Sequence, residues 1–172
     1  MSRGFVKEDD AQTPPIVPPR AALPPNTPNY VTPSGLEQLR TELAELDATR
    51  PAAEADHTND TDRTHRLSLL NGRHALLAER LASARVVDPA TQPPGEVRFG
   101  ATVTLRTVQG DRAGFERTFT IVGVDEADIA QGKVGFVAPL ARAVQGAKLG
   151  QKVALHLGPQ AEEVEVTAIR YT

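Results

Sequence analysis

Two stretches of the chain carry apolar residues at spacings of three and four. In the first, Leu36, Leu39, Leu43 and Leu46 are continued in the same rhythm by Arg50, Ala53 and His57. In the second the series is Leu67, Leu70, His74, Leu77, Leu81 and Ala84. Such spacing places one stripe on one face of a helix, and two matched stripes bury themselves by pairing. Folded back on each other, they align Leu36 with Ala84, Leu39 with Leu81, Leu43 with Leu77, Leu46 with His74, Arg50 with Leu70 and Ala53 with Leu67. Every pair then has the index sum 120. The predicted turn centres on residue 60, in the small polar run Asp56-His-Thr-Asn-Asp-Thr-Asp62. Thr32 suits the N-cap of the first helix, because its hydroxyl can accept from a free first-turn amide, and Pro33 suits the first helical position. Helices of roughly 24 residues would form a rod of about 35 Å. Pro51 removes one backbone hydrogen bond from the first helix, which predicts a kink over Asp47–Pro51, or alternatively an end at Arg50.

Beyond Asp88 the pattern changes. Pro89-Ala-Thr-Gln-Pro-Pro-Gly95 reads as a linker. Apolar residues then alternate with polar ones over 101–108, 115–122, 134–137, 152–157 and 163–169, the period of strands. Pro139 and Gly146 bracket one short helix. The predicted class is α+β: a disordered proline-rich arm over 1–31, an antiparallel coiled-coil hairpin over 32–88, a linker over 89–96 and a compact domain over 97–172.

The arm is defined by composition, since eight of the fourteen prolines lie between Thr13 and Pro33. Proline lacks the amide donor and favours extended conformations, which excludes a helix or central strand there. Charge bears on the hairpin. Ser34–Asp62 holds eight acidic and two basic residues, whereas Arg63–Val87 holds five Arg against Glu79 alone. The two helices attract each other within one chain, an advantage that a pairing of like helices lacks, so a monomer is expected.

Zero cysteines exclude a disulfide framework, a thiolate nucleophile and Cys-ligated metal centres. No run reaches the length of a membrane span and the first residues lack a signal-peptide pattern, so a cytoplasmic, membrane-free protein is expected. A net charge of −3 and a pI near 5.8 argue against holding nucleic acid by bulk electrostatics. No phosphate loop, nucleophile elbow or zincin motif occurs. The chemical candidates gather at the hairpin turn, where Asp56, Asp60 and Asp62 lie beside His57 and His65. Hard oxygen ligands of this kind suit Mg²⁺ and His suits transition ions, but Asp and Asn also serve any helical turn.

Several segments in order resemble the Gre transcript-cleavage factors, GreA and GreB. They are Tyr30-Val-Thr-Pro-Ser-Gly-Leu-Glu-Gln-Leu-Arg-Thr-Glu-Leu43, Arg50-Pro51, Ala84-Arg-Val-Val-Asp88, Val97-Arg-Phe-Gly-Ala-Thr-Val103, Ile121-Val-Gly-Val-Asp-Glu-Ala-Asp128, Pro139-Leu-Ala-Arg-Ala143 and Leu149-Gly-Gln-Lys-Val153. The resemblance runs from about Tyr30 to Tyr171. It implies an FKBP-like C-terminal domain that docks on bacterial RNA polymerase, and a coiled coil that enters the polymerase secondary channel. Contact with nucleic acid would be indirect, through the RNA 3′ end inside the polymerase. It also implies that Asp125, Glu126, Pro139, Leu140 and Arg142 carry docking, as the family-like positions of that domain.

In the family, two tip acids in a Gly-Asp-x-x-Glu-Asn pattern help position a second Mg²⁺ for RNA hydrolysis, as in two-metal sites. That pattern is absent here. The tip reads Asn59-Asp60-Thr61-Asp62, in which Asp60 and Asp62 are the candidates to replace the acids and share the Mg²⁺ of the polymerase. Against the family, the hairpin is also about a dozen residues shorter, which withdraws the tip by about 9 Å. The resemblance therefore implies an elongation regulator without a cofactor of its own, with transcript cleavage as the alternative. An FKBP-like domain could instead be a prolyl isomerase, but such a pocket is usually lined by aromatics, and this domain has four Phe, one Tyr and no Trp.

Overall fold

The computed structural model describes residues 13–172. Strand β1 (Asn29–Val31) leads into helix α1 (Pro33–Ala55), which is followed by helix α2 (Asp60–Ser83) and strand β2 (Ala84–Val86). The Thr32 hydroxyl accepts from the Gly35 amide, as an N-cap should. Helix α1 runs through Pro51 and four residues beyond it, and Ala53 is buried on the far side, so the helix does not end at Arg50.

The helices pair antiparallel through Leu39 and Leu77, with Leu36, Leu43, Leu46 and Leu81 packed around them. Farther out the seam is polar. Arg50 donates to Asn71 Oδ1 at 2.7 Å, and His74 lies 3.5 Å from Asp47. These polar pairs sit one index away from the predicted register, since side chains from neighbouring rows meet across the seam. The turn occupies 56–59 rather than centring on residue 60. The cause is Asn59, whose side chain accepts from the Thr61 and Asp62 amides and starts α2 earlier than the turn-forming composition indicated.

After a single 3₁₀ turn at Pro89–Thr91, the C-terminal domain contains β3 (Thr102–Thr107), β4 (Glu116–Val122), β5 (Lys133–Gly135), α3 (Pro139–Val144), β6 (Lys152–Leu155) and β7 (Glu162–Arg170). The sheet order is β5-β4-β3-β7-β6, antiparallel except for the β4–β5 pair. Alternate residues Val103 and Leu105 on β3, Phe119 and Ile121 on β4, and Val164 and Val166 on β7 are buried, and α3 covers them with Ala141 and Val144. This is the alternation expected of strands with one face on a core.

Residues 13–31 depart from the expectation of an unstructured arm. β1 pairs in parallel with β2, matching Asn29 to Ala84 and Val31 to Val86. Asn29 Nδ2 donates to the Arg80 carbonyl at 2.9 Å, and Val31 is buried. Tyr30 reaches into the C-terminal domain, where its ring lies 5.8 Å from Phe99 and 5.6 Å from Phe136. The prolines do forbid helix, but they leave an extended segment free to pack along both domains. The first twelve residues of the expected arm lie outside the described residues.

Candidate functional site

At the hairpin tip, Asp56 ends α1 and accepts from the Thr58 amide at 3.1 Å, from the Thr58 hydroxyl, and from Arg66 Nη2. The Thr58 hydroxyl and then Arg66 hold its carboxyl well below the usual range. Asp60 and Asp62 fall in the first turn of α2, where negative charge meets the positive end of the helix dipole. Asp60 projects into solvent with its side chain 80% exposed, 3.3 Å from Arg63. Residues two apart on a helix differ by about 200° in direction, so these two carboxylates do not share a face. His57 and His65 are exposed. Among the described residues, no group of three His, Cys, Asp or Glu side chains converges on a point that could hold a metal ion. The tip is thus a capped, charged helix end, and its donor set does not fit a self-contained Mg²⁺ or Zn²⁺ site.

The second region is the junction between the hairpin and the sheet. Acids on a loop are ordinarily solvated, yet Glu126 is buried and Asp125 is half-buried. The turn Gly123–Glu126 folds back on the base of α1, closed by the Glu126 amide donating to the Gly123 carbonyl at 3.1 Å. The Glu126 carboxylate accepts from the Thr32 amide at 3.2 Å, the Gly123 amide at 3.2 Å and the Thr32 hydroxyl. Its charge is met by neutral donors, Thr32 at the N-terminus of α1 and the Gly123 amide of its own turn, an arrangement suited to a buried anion.

Asp125, 7% exposed in its side chain, lies between two arginines. Arg20 reaches its Oδ1 at 2.9 Å, and Arg80 Nε stands 3.2 Å from Oδ2. The same Arg20 binds Glu42 of α1 through two bonds of 2.7 and 2.9 Å. The Glu42 bond raises the Arg20 pKa further, with burial opposing. One carboxylate of the sheet domain is thereby tied to α2 directly and to α1 through the proline-rich segment. The carboxylates of Asp125 and Glu126 are thus engaged in contacts between the two domains.

The other expected docking positions differ. Pro139 and Arg142 are exposed on α3, whereas Leu140 packs against the core. Arg20, Arg80, Tyr30 and Thr32 were not singled out as functional from the sequence. A signal for part of this junction was present in Gly35 and Gly72, two glycines inside helices that propensity disfavours.

The family model described as "Transcription elongation factor, GreA/GreB, C-term" matches residues 92–171. The GreB transcription elongation factor of Neisseria meningitidis serogroup A is 36% identical over 159 residues, covering 84% of this chain and 95% of that protein. The chain belongs to the GreA/GreB family of transcription elongation factors. The family's GreA from Acidiphilium cryptum is 35% identical over 154 residues, covering 82% of this chain and 96% of its own. A solved structure of GreA/GreB from Nitrosomonas europaea aligns with 83% of this chain and 97% of its own, at 22% identity and a TM-score of 0.40. Among the described residues, no helix of this family member is long and apolar enough to cross a membrane.

Proposed function

We propose that this protein binds bacterial RNA polymerase through its C-terminal domain, with Pro139 and Arg142 at the contact, and regulates elongation by inserting the hairpin into the secondary channel. It works as a monomer in the cytoplasm and meets nucleic acid only inside the polymerase. The hairpin acts by occupying the channel. Any Mg²⁺ near its tip belongs to the polymerase, and the protein is not itself an enzyme.

The observation that carries this reading is the tip. Asp60 and Asp62 diverge, Asp60 lies beside Arg63, and both are accounted for as first-turn acids of α2. A hairpin shortened as the resemblance implies fits the same reading. The 159-residue alignment with the Neisseria GreB uses about 144 residues of this chain, so the relative carries about 15 residues without a counterpart here. Removed in equal parts from two helices, they would withdraw the tip by roughly 10 Å.

The deciding experiment is RNA hydrolysis in stalled, backtracked polymerase complexes. Wild type should compete for the channel yet leave the cleavage rate near that of polymerase alone. Asp60→Ala with Asp62→Ala should retain the effect on elongation. Strong Mg²⁺-dependent cleavage by wild type, abolished in the double variant without loss of affinity, would instead assign the tip acids to the transition state.

A further inference from the structure

We infer that the cleft between the hairpin and the sheet domain is a binding site for an extended, proline-rich segment ending in arginine, and that residues 14–21 fill it as a strap setting the angle of the hairpin. The segment reads Pro14-Pro15-Ile-Val-Pro18-Pro19-Arg20-Ala21. Its prolines have fixed φ and few conformations to lose, so it enters a cleft at low entropic cost. Arg20 supplies the specific contact, bridging Glu42 of α1 and Asp125 of the sheet domain with its side chain 18% exposed. Arg80 adds a bond from Nη2 to the Ala21 carbonyl at 2.6 Å.

Gly72 is the second anchor. A Cβ built on it would stand 2.3 Å from Val17 Cγ2, closer than real side chains approach. A glycine within a helix costs about 1 kcal/mol relative to alanine, and here its bare backbone receives the strap. Between these anchors the strap arches over a cavity of about 640 Å³ lined by Glu45, Leu46, Thr49 and Leu76. Its hold is thus concentrated at Val17 and Arg20.

Position on the rod gives these contacts their effect. The junction bonds of Thr32 and Glu126 lie at the base of α1, where they have little leverage against tilting. Glu42 is ten residues farther along, about 15 Å from the pivot, and Gly72 is eleven residues from the end of α2, about 17 Å. A tie at that distance resists rotation that the base contacts alone would allow. The importance of the angle for channel entry rests on the proposed function, whereas the strap itself does not.

The test uses the full chain free in solution, so its outcome is independent of polymerase binding. The chain has no cysteine, and Ala55→Cys with Ala113→Cys places spin labels at two exposed sites, on the hairpin near its tip and on the sheet domain. Electron–electron distance measurements should give one narrow distribution, broadened or split by Arg20→Glu. In the otherwise native chain, Gly72→Ala should raise tryptic nicking after Arg20 by about tenfold, corresponding to about 1.4 kcal/mol of lost protection, while helix content is kept. An unchanged nicking rate in Gly72→Ala would overturn the seat. An unchanged distance distribution in Arg20→Glu would overturn the setting of the angle.

Discussion

The Glu126 carboxylate occupies the space that a side chain on Gly35 would need: a Cβ at position 35 would lie 2.1 Å from Glu126 Cδ and 2.2 Å from its Oε2. The carboxylate cannot retreat without giving up the Thr32 and Gly123 amides. Gly35→Ala should therefore destabilise the protein by about 2–3 kcal/mol, despite alanine's higher helix propensity. Urea denaturation would show this as a lower midpoint at unchanged slope.

Pro51 points the other way. It donates no bond to the Asp47 carbonyl, and helix α1 continues past it regardless. Pro51→Ala should stabilise the hairpin by up to about 3 kcal/mol, seen as a higher midpoint in denaturation followed by circular dichroism. A decrease would mean that the hairpin depends on a bend at this residue.

Most of the framework was legible in the sequence because it is periodic. The 3.6-residue and 2-residue patterns located both helices of the hairpin and the five strands of the sheet, Pro139 and Gly146 bracketed α3, and Thr32 announced the start of α1. What escaped was long-range pairing of polar groups. Nothing local distinguishes Asp125 from a solvated loop acid, because its partner Arg20 is 105 residues away, and the Thr32 that binds Glu126 is 94 away. The arm was misread for a related reason: proline content excludes helix but is silent on whether an extended chain finds a cleft. At the tip, Asn59 began a helix that a count of turn-forming residues placed later.

The N-cap at the tip has its own measurable weight. Asn59 Oδ1 accepts from the Thr61 amide at 3.0 Å and the Asp62 amide at 3.2 Å. Asn59→Ala should cost about 1 kcal/mol, confined to the outer turns. Hydrogen exchange should accelerate near residues 60–66 and stay unchanged around Leu39 and Leu77.

Acid stability should depend on Glu162, which accepts from the Thr107 hydroxyl and from Arg117 at 2.6 and 2.7 Å. The Thr107 hydrogen bond and then Arg117 lower its pKa below the ordinary value of 4.5, with burial opposing. A carboxyl depressed in the folded state stabilises the protein fully above its unfolded value, and that contribution is lost as pH falls through the folded value. Thermal scans should show wild type losing Tm below about pH 4.5 more steeply than Glu162→Gln, which should start about 1–3 kcal/mol less stable at neutral pH.

The parallel pairing of β1 with β2 brings the two ends of the hairpin to neighbouring points, Asn29 beside Ala84. All the chain between them is an excursion that leaves and returns at the same place. Length can then be inserted or deleted in the rod, seven residues per helix at a time, while the seam keeps its phase and the base around Leu39 and Leu77 keeps its packing. Each such step moves the tip by about 10.5 Å along the axis. One such step in each helix changes the chain by about fourteen residues in all. The hairpin is in this sense a yardstick with interchangeable lengths, and how far its tip stands from the sheet domain can evolve separately from how it is mounted.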